Sequence, residues 1–415
     1  MARRSRTAEP TAITTKVTAR PSGVRFDFSN RGAIHYGAGR RHEVGAILDE
    51  LGSRRALLIC GRHFADGDQF SAMKRAIGSR IAGVFADVAP HSSTVELERS
   101  TELARDVGAD AIVAIGGGSV LGLAKCAVVW LAEGGDIQKL AWNYTPAGPG
   151  DGLHIPTLHK EKIPIIALPT TAGSASETNQ YGSVRDPTTR EKVRIRDPKA
   201  TPRHVILDPE LTVTMGPAMT AETGVNALAH CIETVYSRDA QPFSTALALE
   251  AARLMAENLP KCVADPTNLK GRGMQQIATS MSGIALANAM VGLHHALCHP
   301  LGQICDVSHG AANYVMLPHA LQYNLPSVRN ELCLVVTTMG LGDFRNPSDA
   351  EEALLSLTEW LRDLGAPSRL RDVGGVTEEV LPALANSAFE DTCIPYNPVR
   401  VENAEALVEI YKRAW

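Results

Sequence analysis

The sequence has no excess of charge of either sign and no long uncharged hydrophobic run. Its 415 residues include 41 Lys and Arg against 45 Asp and Glu, a net charge of −4, which excludes the strongly basic surface of nucleic-acid or anionic-membrane binders. A membrane span needs about 20 consecutive, mostly apolar residues. The longest apolar stretch, 111–132, is interrupted by three glycines and carries Lys125. We therefore expect neither a nucleic acid nor a membrane as a partner.

The chain also lacks paired cysteine motifs. Its eight cysteines are scattered, with no CxxC pair, and several lie within apolar segments. This spacing favours reduced thiols over a disulfide framework or a zinc knuckle. Residues 7–20, which follow a short basic stretch, contain no apolar segment, so we do not expect a cleaved secretory signal. These features predict a cytoplasmic protein.

Short apolar runs alternate with helical patterns through the first half of the chain. The polar residues 1–25 are predicted to be a disordered extension. The strands predicted after it are residues 56–60, 81–86, 111–115, 163–168 and 205–207. Helical patterns such as 42–51 and 95–107 separate them, and this alternation indicates parallel βαβ units. Residues 26–212 are thus predicted to form an α/β, Rossmann-like dinucleotide-binding domain with a parallel sheet.

The second half of the chain has a different pattern, with helices and no convincing strand. The predicted helices are residues 220–236, 243–258, 273–291 and 350–364. Residues 213–415 are therefore predicted to form an all-α domain.

Two loops of small residues follow predicted strands. The first is IGGGS at 115–119, where Gly117, Gly118 and Ser119 precede a helix whose free N–H groups suit a phosphate. The second is PTTAGS at 169–174, with Thr170, Thr171 and Ser174. Each loop alone is also compatible with a plain turn, and neither is a GxGxxG fingerprint. Two such loops at the carboxyl ends of parallel strands favour a bound dinucleotide.

Five polar residues in the helical half have the spacing of a shared site. Asn226 and His230 are four residues apart on one predicted helix, and His295 and His299 repeat that spacing ahead of His309. Residues at i and i+4 share a helix face, so these side chains suit a divalent-metal site. For any one of these histidines alone, the sequence favours a helix-packing residue; it is the three together, His230, His295 and His309, that favour a shared polar site. Because the amide of Asn226 is a weaker ligand than a carboxylate, the sequence leaves a bound metal open.

Together, these motifs resemble the iron-containing (group III) alcohol dehydrogenase family over residues 27–415. The matching segments are 116–119, 169–174, 226–230, 292–299 and 309–310. The resemblance implies a two-domain architecture like that of dehydroquinate synthase, NADH or NADPH as cofactor, a small carbonyl substrate and a homodimer. It implies cofactor contacts from Gly61, Gly117, Gly118, Ser119, Thr170, Thr171, Ser174 and Lys192.

The resemblance also implies roles for the polar residues of the helical half. His230, His295 and His309 would hold iron or zinc with Asn226 in place of the usual Asp. Without a metal they would donate hydrogen bonds to the substrate or bind one of its carboxylates as imidazolium ions. His299 would relay a proton. Many members carry an Asp where Gly61 stands, and we therefore expect NADPH to be accepted beside NADH.

Within the family the sequence is most similar to maleylacetate reductases, which convert maleylacetate to 3-oxoadipate in aromatic-compound degradation. Asn226, Gly122, the His294–His295 pair and the PYNP segment at 395–398 carry this similarity. Ala296 and the 310–313 segment instead follow alcohol dehydrogenases. For the carboxylates of a dicarboxylate substrate, the sequence does not choose among three further candidates, which are His294, Arg194 and Arg196.

Three alternative functions follow from the same residues. The first is a metal-dependent alcohol dehydrogenase or aldehyde reductase of the same family. The second is a sugar-phosphate cyclase, a lyase that would need basic residues near the metal helix, where 224–237 offers only His230. The third is a non-catalytic binding protein, which the joint presence of both loops and the histidines disfavours.

Overall fold

A parallel sheet and then a set of helices follow one another along the chain. The computed structural model describes residues 26–146, 152–365 and 367–415, so the predicted extension at 1–25 lies outside the described residues. The strands are β1 (Ala33–Tyr36), β2 (Ala56–Cys60), β3 (Ile81–Phe85), β4 (Ala111–Gly116), β5 (Asn143–Tyr144), β6 (Leu153–His154), β7 (Ile165–Pro169), β8 (Tyr181–Arg185), β9 (Lys192–Arg196) and β10 (His204–Leu207).

The helices lie mainly in the second half. They are α1 (Val44–Glu50), α2 (Arg62–Ala65), α3 (Asp68–Ile77), α4 (Thr94–Asp106), α5 (Gly118–Glu133), α6 (Pro217–Tyr236), α7 (Pro242–Ala264), α8 (Leu269–Asn288), α9 (Leu293–Cys305), α10 (His309–Thr338), α11 (Ala350–Asp363), α12 (Leu381–Phe389) and α13 (Ala404–Ala414). The last strand of the sheet ends at Leu207, and the described residues after it contain no strand.

Six strands form one parallel sheet in the order β1-β10-β7-β4-β2-β3. Alternate residues of β2 and β4 enter two separate apolar clusters, one on each face of the sheet. Helices cover both faces, and this burial explains the continuous apolar runs of these strands. The predicted combination of an α/β domain with a parallel sheet and an all-α domain is confirmed.

The sheet order places a crevice between β2 and β4. From β2 the chain continues to β3 on one side and then returns to β4 on the other. Ligands of open α/β sheets bind outside the carboxyl ends of strands at such a reversal. Gly61 follows β2, and Gly117 follows β4, so the fold brings the two predicted cofactor segments to this crevice.

Several predicted element boundaries were wrong. The helix predicted at 42–51 begins as a 3-10 turn at Arg40–Glu43, and the helix predicted at 273–291 is α8, which ends at Asn288. The chain bends by 106° between α8 and α9. The strands β1, β8 and β9 were not predicted, and neither was α10. Pro318 and Pro326 lie inside α10, and because proline is unfavourable in the interior of a helix, the sequence did not indicate a helix there.

Two further sequence expectations concern cysteines and membranes. All eight cysteines are free thiols. Within the described part of the chain, no single helix has the length and hydropathy of a membrane span, although α8 and α9 would pass that test together as a bent pair.

Candidate active site

One cavity of about 760 Å³ lies between the carboxyl edge of the sheet and the helices α6, α9 and α10. It is lined by all the residues predicted to contact the cofactor or to form the polar cluster of the helical half: Gly61, Gly117, Gly118, Ser119, Thr170, Thr171, Ser174, Lys192, Asn226, His230, His295, His299 and His309. The structure thus brings the two loops and the histidine cluster to a single site.

The two small-residue loops pack against each other without room for larger side chains. A Cβ at Gly118 would lie 2.9 Å from the Cβ of Ser174, and one at Gly117 would lie 3.2 Å from the Thr171 side chain. Because α5 begins at Gly118, its first N–H groups open onto this loop. Free N–H groups at a helix start are suited to bind a phosphate.

A third segment, which the sequence analysis did not identify, supports the glycine loop. His91 lies in the left-handed region at φ 57, and its N–H donates to Oγ of Ser119 over 3.1 Å. The hydroxyl of Ser92 donates to the Ser119 carbonyl, and both residues line the cavity. A left-handed histidine is uncommon and often marks a functional segment, but no sequence motif points to it.

Gly61 lines the cavity directly after β2, where the resemblance predicts a cofactor contact. Its missing Cβ would lie 3.2 Å from the carbonyl oxygen of Val88. Arg62 does not face the cavity, because its guanidinium pairs with Asp87 over 2.5 Å. Arg62 is therefore not placed to contact a cofactor phosphate in this arrangement.

The polar side chains of the helical half converge in the interior. Asn226 and His230 lie on α6, His295 and His299 on α9, and His309 at the start of α10. The ring centroids of His230 and His295 are 4.6 Å apart, and those of His295 and His309 are 5.6 Å apart. The Nδ1 atom of His230 is buried without a hydrogen-bond partner among the described residues.

The orientation of Asn226 is fixed by its neighbours. Its Nδ2 donates to the carbonyl of Gly173 over 2.9 Å, so its Oδ1 faces Nε2 of His295 at 3.2 Å. The Nδ1–H of His295 is committed to the carboxylate of Glu233. In this tautomer two acceptor atoms face each other, an arrangement that a cation between them would stabilise.

The contact between Asn226 and His295 has the spacing of a metal site. The described groups that bring three ligand atoms within 4.8 Å of one another are Glu233 with His294 and His295, and His299 with Asp391 and Cys393, so His230, His295 and His309 would have to move closer together to hold an ion. Ligand bonds of about 2.0–2.2 Å place neighbouring donor atoms roughly 3.0–3.5 Å apart, which matches the contact between Asn226 and His295. The residues that would hold the ion are Asn226, His230, His295 and His309. All four are neutral ligands, so the ion would be held more weakly than with a carboxylate.

Glu233 orients the cluster from behind and was not predicted. It lies on α6 one turn after His230 and is fully buried. One of its oxygens accepts the N–H groups of Gly292 (2.9 Å) and His294 (3.1 Å), and the other accepts Nδ1–H of His295. Despite burial, the neighbouring histidines hold the pKa of Glu233 well below its ordinary value. A buried carboxylate that fixes a ligand histidine is typical of metal sites.

Burial favours the neutral form of the histidines in this cluster. Burial lowers the pKa of His230 and His309 well below 6.5, and it lowers the pKa of His299 to about 4. Of the two metal-free roles expected for His230, His295 and His309, burial thus favours neutral hydrogen-bond donors over imidazolium ions that bind a substrate carboxylate.

His299 has a buried acidic partner, Asp391, which the sequence analysis missed. The Nδ1–H of His299 donates to Oδ2 of Asp391 over 2.8 Å, and Nη2 of Arg194 donates to the same oxygen over 2.9 Å. Asp391 lies in the segment after α12, about 90 residues from His299. Nothing in the local sequence marks it as a site residue.

The three open candidates for a substrate carboxylate are separated by the structure. His294 is fully buried and does not line the cavity, since its Nε2 donates to the Asn313 carbonyl. Arg196 lies over the rings of Trp142 and Tyr181. Arg194 alone of the three lines the cavity.

Comparison with known proteins agrees with this architecture. A family model described as iron-containing alcohol dehydrogenase matches residues 32–209. A second, described as the C-terminal part of the Fe-containing alcohol dehydrogenase family, matches residues 220–415. Together they cover both parts of the chain.

Individual relatives span nearly the full length. The chain is 30% identical to an NAD-dependent methanol dehydrogenase of Bacillus methanolicus over 91% of this chain and 97% of the relative. It is 30% identical to a maleylacetate reductase of Sphingobium indicum, covering 92% and 94%. A crystal structure of 1,3-propanediol oxidoreductase, 30% identical, superposes with a TM-score of 0.87 over 94% of this chain and 100% of the other.

Proposed function

Because this chain belongs to the iron-containing alcohol dehydrogenase family, we propose that it transfers hydride between a nicotinamide dinucleotide and a small carbonyl compound. The observation that carries this proposal is the single cavity shared by the two cofactor loops and the histidine cluster. A dinucleotide bound with its pyrophosphate at Gly117–Ser119 can extend its nicotinamide toward His295. Both NADH and NADPH are proposed as cofactors.

The proposed substrate is maleylacetate, reduced to 3-oxoadipate. Hydride from the nicotinamide adds to the carbon–carbon double bond conjugated with the carbonyl group, and a proton is added to the partner atom. Asn226 and the His294–His295 pair support this choice. The negative charge that develops on the carbonyl oxygen needs an electrophile beside it, and the His230, His295 and His309 cluster is where that oxygen would lie.

The chain's own residues supply orientation and a proton route. Glu233 fixes the His295 ring, and the Asn226 amide is held by Gly173. Because Asp391 accepts Nδ1–H of His299, the opposite nitrogen, Nε2, can exchange a proton with substrate or water. A divalent ion, when bound among the four neutral donors, supplies a Lewis acid for the substrate oxygen.

A second candidate function is a metal-dependent alcohol dehydrogenase or aldehyde reductase. The facing acceptor atoms of Asn226 and His295, 3.2 Å apart, favour it. In this case the natural substrate is a simple alcohol or aldehyde, and activity depends on the metal.

One assay separates the two candidates. NADH oxidation is measured with maleylacetate before and after EDTA treatment of the purified protein. Turnover that persists after chelation supports a maleylacetate reductase without a removable metal. No turnover with maleylacetate, together with metal-dependent reduction of simple aldehydes, selects the second candidate.

We expect Asn226→Asp to raise the affinity for Zn²⁺ by about tenfold or more, because an anionic oxygen replaces a neutral one at the metal position. Without metal the variant should be less stable than the unmodified protein. In the unmodified protein the Gly173 carbonyl accepts a hydrogen bond from the Asn226 amide, whereas in the variant it would face a carboxylate that has no hydrogen to donate. Zinc titration with a competing chelator measures the affinity. Asn346→Asp, on an exposed turn, is the control, and equal zinc affinity in all three proteins would contradict a metal position at Asn226.

We expect the unmodified protein to prefer NADH over NADPH by less than about a hundredfold, and Gly61→Asp to shift kcat/KM toward NADH by a further 10- to 100-fold. A carboxylate here would bind the ribose hydroxyls and repel a 2′-phosphate. Gly61→Ala brings the same Cβ close to Val88 without the charge and serves as the control. Equal ratios in the Asp and Ala variants would place the adenosine ribose elsewhere.

We also propose a homodimer in the cytoplasm. The outer edge of β1 is unpaired within the described chain, and Ile34 and Tyr36 on this strand are 42% and 40% exposed. The free cysteines support a reducing compartment. Sedimentation equilibrium, in which a single species of one-chain mass would contradict the dimer, tests the assembly.

A further inference from the structure

The β8–β9 hairpin presents a row of basic side chains to the helical domain. Lys192, Arg194 and Arg196 alternate with the buried Val193 and Ile195 along β9. Alternate residues of a strand share one face, so the three cations lie side by side. None of these positions belongs to the motifs that identify the two cofactor loops.

Like charges also face each other across the hairpin. Arg185 of β8 pairs in register with Lys192 of β9, and like charges directly opposite one another destabilise a sheet. Arg185 is compensated by Asp306 over 2.8 Å. Burial, with Arg194 and Arg185 nearby, lowers the pKa of Lys192 to about 8. An anion in the cavity would relieve this repulsion.

The cavity wall has little negative charge to balance these cations. Arg185, Lys192 and Arg194 line it, while Glu222 is the one carboxylate among its described lining residues. Asp391, the carboxylate bonded to the β9 row, lies behind the wall and is 2% exposed. The site is therefore electropositive on the β9 side.

Arg194 combines a fixed position with free donors. Its Nη2 donates to Asp391 over 2.9 Å, and Asp391 is the one carboxylate with which its guanidinium forms an ion pair among the described residues. The same Asp391 oxygen accepts Nδ1–H of His299 over 2.8 Å. The buried carboxylate of Asp391 thus fixes the guanidinium of Arg194 beside His299, which lines the cavity.

We propose that Arg194 binds a carboxylate of the substrate, so that the enzyme prefers carbonyl compounds carrying a carboxylate group. This inference rests on the proposed function and names the substrate class that the same cavity accepts. A guanidinium matches a carboxylate with two parallel N–H donors. The dinucleotide pyrophosphate has separate donors at Gly117–Ser119, whereas Arg194 is tied through Asp391 to His299.

Ligand binding tests this subsite without requiring turnover. Succinate, a dicarboxylate probe, is titrated calorimetrically into enzyme saturated with NADH, which fills the phosphate contacts. In the unmodified protein, succinate should bind at least tenfold more tightly than its uncharged diamide. Arg194→Met should weaken succinate binding by about 10- to 100-fold, the usual range for a charge-assisted hydrogen bond, and Arg194→Lys should retain part of it.

Matched measurements separate a substrate contact from other roles. Arg196→Met removes a neighbouring charge from the same strand face but outside the cavity wall, and it should leave succinate affinity unchanged within about threefold. NADH affinity should change little in Arg194→Met. The proposal would be overturned if Arg194→Met bound succinate as tightly as the unmodified protein does. It would also be overturned if the unmodified protein bound succinate no more tightly than the diamide.

The remaining outcomes distinguish this inference from the proposed function. A tenfold loss of NADH affinity in Arg194→Met, with succinate binding intact, would assign the residue to the cofactor phosphates and overturn the subsite. Absence of NADH binding by the unmodified protein would contradict the proposed function itself. If the unmodified protein binds NADH tightly but binds succinate and its uncharged diamide equally well, only the carboxylate subsite is contradicted.

Discussion

Replacement of His295 by alanine is expected to lower kcat by about 10²–10³-fold while the dissociation constant of NADH changes by less than about threefold. His295 lies at the centre of the cluster, with its Nε2 toward Asn226 and its Nδ1–H on Glu233. Whether this ring holds a metal ion or itself polarises the substrate oxygen, its removal eliminates stabilisation of developing charge, and one such donor contributes on this scale. The glycine loop proposed to bind the pyrophosphate is untouched.

Steady-state kinetics and NADH titration of the same preparation measure the two quantities. His42→Ala, an exposed histidine outside the cavity, should leave both unchanged. Thermal unfolding confirms that the His295 variant remains folded at the assay temperature. A kcat within about threefold of the unmodified protein would exclude His295 from the reaction site, and an equal loss of NADH affinity would place it against the cofactor instead.

The predicted site residues that line the cavity share a local signature. Gly117 and Thr171 follow apolar strands directly, and parallel strands bring their carboxyl ends to one edge. Asn226 and His230 are one helical turn apart on α6, as the spacing predicted. Position relative to a regular element was enough in these cases, because the element itself fixes the direction of the side chain.

The residues that the sequence analysis missed are those whose role depends on a distant contact. Glu233 reaches Gly292 across 59 positions, and Asp391 reaches Arg194 across 197. An isolated acidic residue within a helix or loop is ordinarily a solvated surface group, so nothing in the sequence distinguishes these two. Only the packing of α9 between α6 and the segment after α12 shows that each carboxylate orients a histidine.

Protonation states were likewise beyond the sequence. The number and spacing of the histidines predicted a shared site, but not its depth. His230 and His295 are 4% and 3% exposed, and this burial lowers the pKa of both rings, which favours neutral histidines over the imidazolium ions that were one of the two expectations. The sequence also could not choose among the three candidates for a substrate carboxylate. The structure does so because His294 bonds to the Asn313 carbonyl in the interior and Arg196 lies over Trp142, which leaves Arg194 facing the cavity.

Replacement of Glu233 by alanine is expected to lower the free energy of unfolding by about 3–5 kcal/mol, the usual cost of removing one partner from a buried ion pair. Two backbone N–H groups and the His295 ring lose their acceptor. His294 loses its counter-charge as well; burial opposes its protonation, but Cys298 and Glu233 hold its pKa above the ordinary value. Urea unfolding at pH 7 measures the change. Glu257→Ala, which removes an exposed ion pair with Lys261 on α7, is the control and should leave the free energy of unfolding nearly unchanged.

The acid limb of the stability profile gives an independent check with a defined sign. The folded-state pKa of Glu233 lies below the ordinary 4.5, so between these two values the unfolded chain binds more protons than the folded one, and stability rises with pH. The unmodified protein should therefore lose up to about 1.4 kcal/mol per pH unit on acidification below pH ~4.5 through this group. The alanine variant should lack this contribution and show a shallower slope. Equal slopes, together with a stability difference below about 1 kcal/mol at pH 7, would mean that Glu233 does not carry the buried charge that orients His295. Any kinetic effect of His295→Ala would then have to arise without a fixed orientation of the ring by Glu233.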